Sequence, residues 1–153
     1  MDYQTLLRHS LATLAYRTRH ALQETPVGFE DFEAGLDART PLEILHHVNG
    51  ILSLADRKYR GKKPEPNEQM SWVEEIESFH QYLNALDRAI AEGSAPDDET
   101  MLRIYQGPIC DALTHVGELM LLRRLFGSPV VTANYYQADI QVGALGPGQP
   151  LPA

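Results

Sequence analysis

The chain has 153 residues, 43% hydrophobic and 22% charged, with a net charge of −8. That balance fits one globular domain with a core of its own. Lysines and arginines are scattered rather than gathered in a stripe, which disfavours nucleic acid as a partner. No apolar run reaches the roughly 18 residues of a membrane span. The opening M-D-Y-Q-T-L-L-R-H-S lacks the basic-then-apolar pattern of a signal peptide. Cys110 is the single cysteine, so no internal disulfide can form, and the expected setting is a reducing cytoplasm.

Residues 2–24 carry a helical repeat. Leu7, Leu11, Leu14, Thr18 and Leu22 share one face, with His9 and His20 opposite. The stretch T-P-V-G-F-E-D-F-E-A-G-L-D-A-R reads as a long loop. Thr40-Pro41-Leu42-Glu43 then has the signature of a helix start: a capping threonine, a proline suited to the first turn and a glutamate to complete a capping box. This second helix should run to about Arg60 and stop at G-K-K-P-E-P. A third is predicted over about residues 68–92, with Trp72, Ile76, Phe79, Leu83 and Ile90 inward and Gly93 as its end. After S-A-P-D-D a fourth helix should end near Phe126-Gly127. Gly107-Pro108 interrupts it, and a proline there predicts a kink or break. From Ser128 the chain is rich in Pro, Gly and Tyr. Tyr135, Tyr136 and Ile140 are expected to pack across the bundle, and the final G-P-G-Q-P-L-P-A to be loose. The fold class is therefore all-α: a four-helix bundle over residues 1–127, with an irregular C-terminal tail, 128–153, on the same domain.

The most informative stretch is D-A-L-T-H-V-G-E-L, 111–119. Asp111 and His115 are four residues apart and project from one helical face. By phase, Ile104, Asp111, His115, Glu118, Leu122 and Leu125 form one stripe of the fourth helix. Glu43, Ile44, His47, Ile51 and Leu54 form the matching stripe of the second. His46 points about 100° away, beside Ser53 and Arg57, so His47 is the inward member of the doublet. A carboxylate and imidazoles turned into an apolar core need partners. His47, Asp111 and His115 could supply three ligands from facing helices to one divalent ion, leaving a position open as catalytic sites do. Zinc, nickel and ferrous iron all suit such a set. Alternatively the three residues hydrogen-bond one another and no metal is bound.

The fourth helix and its continuation, Q-G-P-I-C-D-A-L-T-H-V-G-E-L-M-L-L-R-R-L-F-G-S-P-V, resemble a DinB-type four-helix protein. So do P-L-E-I-L-H-H-V on the second helix and the later A-D-I-Q-V-G. The resemblance spans about residues 41–143 and is strongest over 106–130. Members of that superfamily typically hold a divalent metal with three histidines, one from the second helix and two from an H-x-x-x-H on the last, followed by x-G-Q. His47 matches the first and His115, in H-V-G-E, the last. Asp111 stands where the other histidine is usual, and Glu118 where glutamine is frequent. The resemblance implies a metal-dependent enzyme acting on a small molecule, as a thiol S-transferase or isomerase using low-molecular-weight thiols such as mycothiol or bacillithiol. Hydrolysis is the other reaction a metal with an open position would support.

Other residues admit functional readings beside ordinary ones. His80, between Ile76 and Leu83, could move protons together with Glu118, with Asp87 in phase to orient it, or be a satisfied boundary histidine. Cys110 reads as a small core residue, Arg123-Arg124 as a solvated face, and Trp72, Tyr135 and Tyr136 as aromatic core or pocket wall. Leu102, Ile109, Leu113, Val116 and Met120 give the last helix a second apolar face, which predicts a central position or a homodimer. The rival to an enzyme is thus a non-catalytic helical dimer, a stress-response or regulatory binding module with a structural polar core.

Overall fold

The computed structural model describes residues 1–93 and 95–148. Helix α1 is Tyr3–Leu22, with the Asp2 carboxylate accepting the Thr5 amide N–H as its cap. Helix α2 is Pro41–Tyr59 and opens on the expected capping box: Thr40 Oγ1 accepts from the Glu43 amide, and Glu43 Oε2 accepts from the Thr40 amide. Helix α3 is Trp72–Glu92. It begins four residues later than the sequence suggests, because Ser71 and Glu74 form a second capping box that fixes the start.

The last rod has two parts. Helix α4, Asp98–Ile104, runs into a π turn, Tyr105–Ile109, and continues as α5, Cys110–Leu125. Pro108 has no N–H to give the usual i→i−4 bond. The chain answers by widening the turn, so that the Cys110 amide donates to the Tyr105 carbonyl five residues back. The break predicted at Gly107-Pro108 is this turn. Gly127, at φ +88°, stops α5 in the left-handed conformation, and the Ser128 amide reaches back to the Arg123 carbonyl.

The helices form an all-α bundle, and no strand occurs among the described residues. α2 packs on α3 and α5, and α1 packs on the same two helices. Around the bundle the order is therefore α1, α3, α2, α5, with α1 and α2 on one diagonal. The link between them crosses the bundle. Within it a short 3₁₀ turn, Phe29–Asp31, buries Phe29 completely, edge-on to Trp72 and Phe126. The core comes from Leu7, Leu11 and Leu14 of α1, Leu45, Val48 and Leu52 of α2, and Phe79, Leu83, Leu86 and Ile90 of α3. The last rod adds Ile104, Ile109, Ala112, Val116 and Leu119.

Several expectations are corrected. His9 is exposed, but His20 is buried, because the tail folds over it and Tyr135 Oη lies 2.7 Å from its Nδ1. Tyr136 points to solvent instead of packing, while Ile140 and Leu145 do pack. Arg123 is buried: it donates to the carbonyls of Ala21 and Gln23 at the end of α1 and to Ser128. Asp87 does not orient His80; it forms a two-pronged ion pair with Arg8 of α1. Leu102, before the π turn, is exposed instead of sharing a buried face with Ile109 and Val116 beyond it, and Leu125 is exposed on the rim flank of α5 that also carries Asp111 and Glu118. Cys110 is half-buried at the start of α5. Residues 149–153 of the expected loose terminus lie outside the described residues. Among the described residues no helix is long and apolar enough to cross a membrane.

Candidate metal centre

α2 and α5 are neighbours, so a residue on each facing flank can meet its counterpart. Immediately after the π turn, Asp111 and His115 sit one helical turn apart on α5, and His47 reaches toward them from α2. One ligand atom from each of the three lies within 4.8 Å of the others. His47 Nε2 is 3.7 Å from Asp111 Oδ2, and His115 Nε2 is 3.4 Å from Asp111 Oδ1. The two imidazoles meet edge to face, with centroids 4.8 Å apart. Asp111 is not turned into the core: its side chain is 46% exposed and that of His47 36%, against 11% for His115. The site is a rim position on the bundle, open on one side.

The cluster could hold a metal ion. Both contacts to Asp111 exceed the 2.7–3.2 Å or so of a hydrogen bond. Ligand atoms at about 2.0–2.1 Å from a tetrahedral ion stand about 3.3 Å from one another, so the trio, whose ligand atoms lie within 4.8 Å, would draw together around an ion. His115 Nδ1 lies 2.8 Å from Glu118 Oε2. If that carboxylate is ionised, Nδ1 carries the ring proton and Nε2 keeps its lone pair for the site, the arrangement usual for metal-bound histidine. His47 is held below the ordinary histidine pKa, by burial first, then by the charges of Arg39 and His115. Its neutral form, the one that can ligate, is thereby favoured.

The comparisons with known proteins bring no neighbour. No family profile, curated protein or solved structure matches the chain. The DinB resemblance therefore rests on the residues quoted above.

Glu118 touches the trio through His115, whereas His80 lies outside it, its Nδ1 2.8 Å from the Leu145 carbonyl oxygen. Sequence reasoning missed a second polar group beside the trio. His46, about 100° from His47, meets α3. Its Nδ1 is 2.8 Å from Oε1 of Glu75, a fully buried carboxylate on α3. Glu75 also accepts from the Met70 amide at 3.0 Å and from Asn49 Nδ2 at 2.6 Å. The signal was present, because Glu75 is in helical phase with Phe79, Leu83, Leu86 and Ile90. A carboxylate on a core stripe calls for a partner on the facing helix. On one side of His47 is a polar cleft toward residues 67–69. A separate groove of about 350 Å³ runs between Ala34, Ala38, Leu121 and Leu125 and is bordered by Glu118.

Proposed function

We propose that the chain is a DinB-type protein that holds one divalent ion through His47, Asp111 and His115 and acts on a small molecule, by thiol transfer or hydrolysis. The observation that carries this reading is the convergence of one ligand atom from each of three residues on adjacent helices, all within 4.8 Å of one another. Zinc, nickel and ferrous iron fit the donor set, and a carboxylate in place of a third imidazole keeps the site competent. A divalent ion with an open position supplies Lewis acidity and brings the pKa of a water or thiol toward neutrality.

The residues then have distinct tasks. Glu118 positions His115 by accepting from Nδ1, and its half-exposed carboxylate is placed to exchange protons with solvent. His80 is held on the tail, and no step is assigned to it. The open rim at Asp111 gives a small molecule access. A cytoplasmic setting fits a chain with one half-buried cysteine. Exposed Tyr3, Leu6, Leu102 and Tyr105 favour a homodimer and equally serve the rival reading, a non-catalytic binding module.

Elemental analysis of untagged protein beside His47→Ala and His115→Ala separates the two. Near-stoichiometric zinc, nickel or iron in the native protein, lost in both variants, is the expected result. A native protein that stays metal-free after incubation with these ions would overturn the proposal in favour of the binding module.

A further inference from the structure

Leu121 and Leu125 of α5 face solvent and line one wall of the groove of about 350 Å³. Ala34 and Ala38 line it from the link between α1 and α2, and Ile44 from α2. Apart from Arg39 and Glu118 the lining is apolar. Alanines on the link side leave room that larger side chains would fill. The volume suits a small molecule, whose sites run from about 300 to 1,000 Å³.

The link has an unusual backbone at the same place. Between Ala34 and Ala38, the residues Gly35, Leu36 and Asp37 are all left-handed, at φ +89°, +53° and +58°. The Ala38 amide donates to the Gly35 carbonyl at 3.1 Å and closes the turn. In turns whose two central residues are left-handed, asparagine, aspartate or glycine is usual. A leucine there is strained, because its Cβ crowds the following carbonyl oxygen.

Nothing in the free protein offsets that strain. The Leu36 side chain is fully exposed, so a large apolar group is held in water by a backbone conformation that opposes it. Strained residues of this kind cluster at ligand clamps and switch segments. A return of the turn to right-handed backbone would relieve the strain and redirect the side chain, and the alanines on either side of it already border the groove.

The groove also adjoins the candidate metal centre. Glu118 borders it, and Oε2 of Glu118 is 2.8 Å from Nδ1 of His115. A molecule seated along the leucines therefore has one end beside the open rim of the trio.

We infer that this groove takes the alkyl group of a small-molecule substrate and that Leu36 folds over that group when it is bound. The inference rests on the metal-centre reading and names the substrate class of that site, an alkyl-substituted compound with its polar end toward Glu118. Burying the chain against Leu36, Leu121 and Leu125 removes apolar surface of both partners from water. A substrate polar along its whole length would leave the three leucines as exposed as before.

The probes are propan-1-ol, butan-1-ol and pentan-1-ol, beside pentane-1,5-diol, which matches the last in length but has a polar far end. Each is titrated into protein with ¹³C-labelled leucine methyls. Saturable shifts at Leu36, Leu121 and Leu125 are expected, with affinity rising about fourfold per added methylene, and the diol should bind no tighter than propan-1-ol. Leu36→Asn should melt about 2–4 °C higher, because asparagine accepts the turn, yet bind pentan-1-ol about tenfold more weakly. Leu121→Gln, at an exposed position, should keep the native melting temperature and lose the gain with chain length. Affinity independent of chain length, or equal in native protein and Leu36→Asn, would overturn the proposal. So would leucine methyl signals that move with protein concentration and not with alcohol, the mark of a second copy in the groove. Elemental analysis of the same samples keeps the two readings apart. A chain-length gain in protein that takes up no metal supports the groove while the metal assignment fails, and metal bound with no such gain overturns the groove alone.

Discussion

Replacing Arg123 by methionine should cost far more than a surface arginine normally would. Its side chain lies in the core with 3% of the residue exposed. Nη1 donates to the Ala21 carbonyl at 2.9 Å and to the Gln23 carbonyl at 2.8 Å; Nε donates to the Ser128 carbonyl at 2.8 Å, and Nη2 to Ser128 Oγ at 3.1 Å. Arg123 therefore closes the open carbonyl end of α1 and ties it to the start of the tail. Hydrogen bonds from a charged donor contribute roughly 1.5–3 kcal/mol each. Against their sum stands the desolvation of the guanidinium, which pulls its pKa down and costs several kcal/mol. Methionine keeps the stem but leaves three carbonyls without their donor, for a net loss of about 3–5 kcal/mol. For a chain of this size that is a fall in melting temperature on the order of 10 °C. Urea unfolding of both proteins, with midpoints and slopes compared, measures it. A loss below about 1 kcal/mol at unchanged slope would refute the capping argument and mean that water serves those carbonyls equally well.

Four further outcomes are expected. Adding the bound metal at about one hundred times its Kd should stabilise the protein by about 2.7 kcal/mol, read as a rise in melting temperature that chelator reverses. Glu118→Ala should weaken metal binding by roughly 10–100-fold in competition with a chromophoric chelator, while the metal-free protein melts nearly as before. Burial lowers the His20 pKa below its ordinary value of 6.5, with the Val131 backbone acting in the opposite direction. The unfolded chain then takes up that proton first as the medium is acidified, so stability should fall from about pH 6.5 downward until the folded value is passed, and less steeply in His20→Leu. Phe29→Ala should cost about 3–5 kcal/mol by denaturant titration, because a fully buried ring in edge contact with Trp72 and Phe126 leaves a cavity.

Local chemistry was legible in the sequence where it needed no knowledge of neighbours. The Thr40–Glu43 capping box, the stop at Gly93 and the disturbance at Gly107-Pro108 depend on residues within a turn of one another, and each is present. The start of α3 slipped only because Ser71 and Glu74 were not paired as a capping box. The residues His47, Asp111 and His115 come together as helical phase suggests. What phase leaves out is the identity of the neighbours. α2 has two inner flanks, one toward α5 and one toward α3. His47 and His46, about 100° apart, each take one of them, so the residue set aside on angle alone finds Glu75. Arg123 and His20 follow the same rule: the end of α1 covers Arg123 and Tyr135 of the tail covers His20, each from about a hundred residues away in sequence.

The π turn is, in effect, one extra residue threaded into an otherwise regular rod, and it acts as an angular offset. Each residue of an α-helix advances about 100°, so everything after Ile109 is rotated by about that amount relative to an uninterrupted continuation of α4. Met101 and Ile104 can thus face the core on one bearing while Asp111 and His115 meet His47 on another. Deleting Gly107 and replacing Pro108 by alanine would let the rod heal into a continuous helix with every ligand residue still in the chain. The carboxylate and imidazole would swing off the α2 flank as a unit, and the site would be lost through rotation rather than through chemistry.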